Sequence, residues 1–145
     1  MGSVRVLRMR DVTQKGHQSM QNINTEILVV DDETPVRLSL AAYLEDEGFI
    51  VRTAESAEQA VESADANPPH LAVVDLRLPG MDGAALILEL SKRHPGMKFL
   101  IHTGSTKFSL SEDLKAAGLD DSQVFFKPVL DMGEMASKIL TVLQG

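Results

Sequence analysis

HLAVVDLRLPGMDG, residues 70–83, is the stretch that decides how the rest of the chain reads. Leu71-Ala72-Val73-Val74 is a short apolar run with two β-branched residues. It is too short for a helix and is predicted to be a buried strand. Asp75 closes the run. Leu76 to Gly83 is then a loop, punctuated by Pro79-Gly80 and Asp82-Gly83. A carboxylate at the carboxyl end of a buried strand stands where open α/β sheets bind ligands. An aspartate that merely closes a turn fits this stretch equally well, so the choice rests on the other strand ends.

Working outward, the same pattern recurs. Glu26-Ile27-Leu28-Val29-Val30 is a first strand running into Asp31-Asp32-Glu33. Thr34 suits an N-cap and Pro35 a first helical position, and the helix stops before Gly48. Phe49 to Thr53 is a second strand. Ser56 to Ala66 is a helix capped by Ser56 and ended by Asn67-Pro68-Pro69. Ala84 to His94 is a helix that stops at Pro95-Gly96. Lys98 to Ile101 is a fourth strand leading into His102-Thr103-Gly104-Ser105. Ser111 to Ala117 is a short polar helix, Val124 to Phe126 a fifth strand before Lys127-Pro128, and Asp131 to Leu143 a last helix.

Five strands alternating with five helices predict a parallel sheet covered on both faces. The expected fold is α/β: a doubly wound, flavodoxin-like (βα)5 sheet with strand order 2-1-3-4-5. Residues 25–145 form this one domain. Residues 1–24 are expected to be a flexible extension, basic through Arg5, Arg8, Arg10 and Lys15 against an acidic remainder. Met20 is an alternative start, because everything after it reads as a domain.

Composition narrows the function classes. The chain has 145 residues, a formal net charge of −7 and no cysteine. Disulfides, thiolate metal sites and cysteine nucleophiles are excluded, and a reducing cytoplasm fits. The negative charge argues against direct nucleic-acid binding. No apolar run approaches a membrane span, and no signal peptide is evident. His17, His70, His94 and His102 show no metal-ligand spacing, and His102 is expected to be packed or solvated.

The proposed strand order brings Asp31 and Asp32, Asp75, Thr103 and Lys127 to one sheet edge. Three carboxylates so close repel one another, and at least one pKa rises without a counter-charge. Lys127 supplies one positive charge and a divalent cation another. Oxygen ligands point to Mg²⁺. Carboxylates, a metal, an ammonium and a hydroxyl together suit phosphoryl binding, with an aspartate left to attack phosphorus.

These motifs also resemble a known family. LVVDDE at 28–33, VVDLRLPGMDG at 73–83, IHTGS at 101–105 and FFKP at 125–128 are similar, in order, to the receiver domains of two-component response regulators. The resemblance implies that Asp75 is the phosphoacceptor. It implies that Asp31, Asp32 and Asp75, with the backbone carbonyl of Arg77, hold Mg²⁺, Asp32 directly and Asp31 partly through water. Lys127 would pair with the phosphoryl group, and the Thr103 hydroxyl would swing towards it. Pro128 matches a Lys-Pro step that is often cis in the family. The implied donor is a phosphohistidine on a sensor histidine kinase or histidine phosphotransfer protein.

The output implied is a protein-binding surface switched by phosphorylation. It would be read by a protein partner, a relay step or a domain outside this sequence, with a homodimer as a further option, and the module would not be an enzyme in its own right. The family commonly carries an aromatic residue three positions before the lysine, where this chain has Val124. Signalling is therefore expected to pass through the loop after strand four or the helix at 111–117. Arg77 and Ser105 occupy positions that influence phosphoryl lifetime in the family.

Three other functions have discriminating features. A haloacid-dehalogenase-type phosphatase needs a second aspartate two residues after its nucleophile, but Arg77 follows Asp75 there and Glu33 follows Asp31. A flavin carrier needs a Ser/Thr/Gly-rich phosphate loop after strand one, where Asp31-Asp32-Glu33 would repel phosphate. A receiver-like module working without phosphorylation needs no intact site, yet all five site positions are filled.

Overall fold

The computed structural model describes residues 24–129 and 131–144. The expected extension therefore lies outside the described residues, apart from Asn24. The apolar runs form β1 (Glu26–Val30), β2 (Ile50–Ala54), β3 (Leu71–Val74), β4 (Lys98–Thr103) and β5 (Val124–Phe126). Between and after them run α1 (Thr34–Asp46), α2 (Ala57–Ala66), α3 (Gly83–Arg93), α4 (Glu112–Ala116) and α5 (Met132–Gln144), with a short 3₁₀ turn at Asp121–Gln123. The sheet is parallel at every pairing, in the order β2-β1-β3-β4-β5.

Strand alternation divides the core in two. Ile27, Val29, Val73 and Leu100 meet Leu40 and Leu44 of α1 and Met135 and Ile139 of α5. Leu28, Val74, Phe99 and Ile101 face the other way, against α2, α3 and α4. Every residue of β3 is buried, which a central strand covered on both faces requires. The small residues Ala57, Ala60 and Ala64 give α2 its buried face and bring it close to the sheet.

Local chemistry sets the element ends. Ser56 Oγ accepts from Gln59 N, Asp82 Oδ1 from Ala85 N and Ser111 Oγ from Leu114 N, each capping a helix. The start of α1 differs from expectation. Glu33, not Thr34, is the N-cap, and no side chain caps it. Thr34 instead lies in the helix, where its hydroxyl accepts from Arg37 Nη2 at 3.3 Å. Pro35 keeps its place in the first turn. Strand β4 runs two residues beyond the expected end, so His102 and Thr103 are strand residues. Their polarity hid this from the apolar pattern, but the β5 edge pairs with them.

Candidate phosphoryl-acceptor site

Four strands deliver the site. Backbone pairing continues one residue past the ends of β1 and β3: Asp31 N–H donates to Ala54 O at 3.1 Å, and Asp75 N–H to Val30 O at 2.9 Å. Lys127 N–H donates to Thr103 O at 2.7 Å. The sheet thus fixes the backbones of Asp31, Asp75 and Lys127 independently of their side-chain contacts.

The side chains converge. Carboxylate oxygens of Asp31, Asp32 and Asp75 all lie within 4.8 Å of one another. Lys127 Nζ lies 2.9 Å from Asp31 Oδ2, 3.1 Å from Glu33 Oε1 and 3.5 Å from Asp75 Oδ2. Asp31 is only 1% exposed, Asp75 is buried and Asp32 is exposed. The second oxygen of Asp31 accepts from Glu33 N at 2.9 Å, and that of Asp75 from Arg77 N at 3.2 Å. Thr103 is fully buried, and its hydroxyl oxygen accepts from Ser105 N at 3.1 Å. Lys127-Pro128 is cis.

Burial pushes the Asp75 carboxyl above its usual value. The Arg77 N–H and the Lys127 charge pull it back, and the Asp31 charge adds to the rise. Burial alone would lower the Lys127 ammonium, but its bonds to Asp31 and Glu33 and the charges of Asp31 and Asp75 outweigh that, so its pKa lies above the ordinary lysine value. The site is a fixed cation facing an excess of negative charge. Oxygen donors of this kind suit a hard divalent cation.

Several supporting residues were not singled out from the sequence. Arg37, buried in α1, donates through Nη1 to Asp31 O at 2.9 Å and so ties the helix to the β1 turn. An arginine at a core-facing helical position was the available signal. Glu33 reaches Lys127, which spacing alone does not reveal. Gly83 is needed for close approach: a Cβ there would lie 2.2 Å from the carbonyl oxygen of Asp75. His102 is packed, as one of its two expected settings, and its Nδ1 has no hydrogen-bond partner. Burial, with the Lys127 charge, lowers its pKa to about 4, against the opposing pull of Asp31 and Glu33. Val124 pairs with Ile101, half-buried against the core, whereas the aromatic residue in register with Thr103 is Phe126, itself 40% exposed.

Residues 27–140 match the response regulator receiver domain. The chain belongs to the receiver-domain family. Among proteins similar to this receiver domain is the photosynthetic apparatus regulatory protein RegA of Cereibacter sphaeroides, 38% identical over 78 residues, covering 54% of this chain and 42% of RegA. The two-component response regulator PhoP of Pseudomonas aeruginosa is 36% identical over 96 residues, covering 66% of this chain and 43% of PhoP. The match thus spans less than half the length of either relative. A CheY-like receiver domain protein from Methanospirillum hungatei superposes with a TM-score of 0.72 at 31% identity, covering 83% of this chain and 94% of that chain. Receiver domains are signalling modules of two-component systems, switched by phosphorylation, rather than members of a classical enzyme family. No helix among the described residues is long and apolar enough to cross a membrane.

Proposed function

We propose that Asp75 is the phosphoacceptor of this receiver domain, taking a phosphoryl group from a phosphohistidine of a sensor histidine kinase or a histidine phosphotransfer protein. The observation that carries this reading is the position of Lys127 Nζ, 2.9 Å from Asp31 and 3.5 Å from Asp75, beside three clustered carboxylates. A carboxylate oxygen of Asp75 attacks phosphorus. The new O–P bond forms as the donor N–P bond breaks, and the imidazole nitrogen keeps the electron pair. Lys127 orients and neutralises one phosphoryl oxygen, and the Thr103 hydroxyl, bonded to Ser105 N before phosphorylation, swings towards another.

Asp31, Asp32, Asp75 and the Arg77 carbonyl are the residues that would hold Mg²⁺. Both oxygens of buried Asp31 already have protein partners, which supports Asp32 as the more direct ligand. The chemistry a cation would supply there is neutralisation of charge on the phosphoryl oxygens. The downstream partner is proposed to be a protein, in keeping with the chain's net charge of −7. The cytoplasm is the proposed setting.

The linkage formed tests this directly. After incubation with a phosphohistidine-bearing kinase fragment and Mg²⁺, the phosphoryl group is expected to be released by neutral hydroxylamine, as an acyl phosphate is. The peptide converted to a hydroxamate should contain Asp75. A hydroxylamine-resistant phosphoester would overturn the reading by putting the phosphoryl group on a hydroxyl, and no label at all would overturn it and leave a binding module that works without phosphorylation.

A further inference from the structure

We infer that Glu33 competes with the incoming phosphoryl group for Lys127, so that it lowers the affinity and rate of that step. This rests on the reading of Asp75 as the acceptor.

An ammonium group offers three N–H donors. Lys127 donates to Asp31 at 2.9 Å and to Glu33 at 3.1 Å, and it faces Asp75 as an ion pair at 3.5 Å. A phosphoryl oxygen on Asp75 would compete with these two bonded carboxylates for Lys127. Asp31 is buried with its other oxygen bonded to Glu33 N, and freeing it from the lysine would leave a buried carboxylate short of a partner, which is costly. Glu33 differs. Its side chain is 59% exposed, so water can replace the lysine. Its backbone is meanwhile held by Asp31 Oδ1, so the side chain can leave without disturbing the β1–α1 turn.

Glu33 also adds a negative charge at the mouth of a site that must admit an anion. Competition for Lys127 and repulsion of the incoming group act in the same direction. Removing the charge should therefore improve acceptance, whereas a generally damaging substitution would impair it.

The test is beryllofluoride affinity in saturating Mg²⁺, measured by calorimetric titration on wild type, Glu33→Gln, Glu33→Ala and the control Glu112→Gln, whose side chain on α4 is 94% exposed. Initial rates with acetyl phosphate and melting temperatures without metal accompany it. Both Glu33 variants are expected to bind about three- to tenfold more tightly, a factor of the size expected from losing one nearby partly screened charge. Their acetyl phosphate rates should rise in step, with melting temperature little changed. Glu112→Gln should match wild type. Wild-type binding with unchanged or weaker binding in the Glu33 variants would overturn the inference while leaving the Asp75 reading standing. No binding by wild type would overturn both.

Discussion

The Lys127 ammonium and the Asp31 carboxylate, 96 residues apart in sequence, meet at 2.9 Å across the carboxyl edge of the sheet. The pair joins β5, an edge strand of three residues, to the first central strand. Its burial makes it costly to break from one side only. Lys127→Met is expected to destabilise the metal-free domain by about 3 kcal/mol, because Asp31 is left as an uncompensated buried charge. Mg²⁺ should restore more stability to this variant than to wild type, since the cation replaces the missing positive charge. Adding Asp31→Asn should recover much of the loss. Urea unfolding with and without Mg²⁺ measures all three.

His102 predicts a pH dependence. Its folded pKa is about 4, against an ordinary histidine value of 6.5. Between those values the unfolded chain binds the proton and the folded domain does not. Stability is therefore lost as pH falls from 6.5 towards 4, by about 3 kcal/mol over the window from this residue alone. Asp75 contributes the opposite slope, since its pKa is raised on folding. Comparing wild type with His102→Leu isolates the histidine. The variant should show a flatter stability profile below pH 6.5, measured by denaturant unfolding at fixed salt. An identical profile in both would contradict a neutral, buried imidazole.

Gly83 predicts a reversal of a common substitution effect. It is the first residue of α3, and Gly→Ala in a helix usually gains up to about 1 kcal/mol. Here an added Cβ would lie 2.2 Å from Asp75 O and 2.7 Å from Leu76 Cα, both backbone atoms. Gly83→Ala should instead destabilise by about 2 kcal/mol, and should slow phosphorylation by displacing the acceptor. Thermal unfolding and acetyl phosphate kinetics check the two effects together.

The fold is legible because each strand carries an apolar run and most boundaries carry their own chemistry. Leu71 to Val74 reads as a buried strand, and Ser56, Asp82 and Ser111 cap helices through side-chain bonds that local sequence can suggest. Asp31, Asp32, Asp75, Thr103 and Lys127 could be brought to one edge because each follows or closes a strand whose order is constrained. What stayed hidden depends on side-chain reach. Glu33 looked like a further acidic turn residue, and only the rotamer that brings Oε1 to 3.1 Å from Lys127 gives it a role. Arg37 sits at a helical position that should bury something apolar; its guanidinium instead satisfies the Asp31 carbonyl. The end of β4 was set too early because His102 and Thr103 are polar, although strand pairing is made by backbone and is indifferent to that. Phe126 comes beside Thr103 through register, whereas counting back from Lys127 had drawn attention to Val124.

The most direct measurement is the intact mass of the protein after incubation with acetyl phosphate, with and without Mg²⁺, for wild type and Asp75→Asn. The account predicts one phosphoryl adduct on wild type, dependent on Mg²⁺, and none on Asp75→Asn. An adduct of equal yield on Asp75→Asn, or no adduct on wild type under conditions where Mg²⁺ binds, would contradict it.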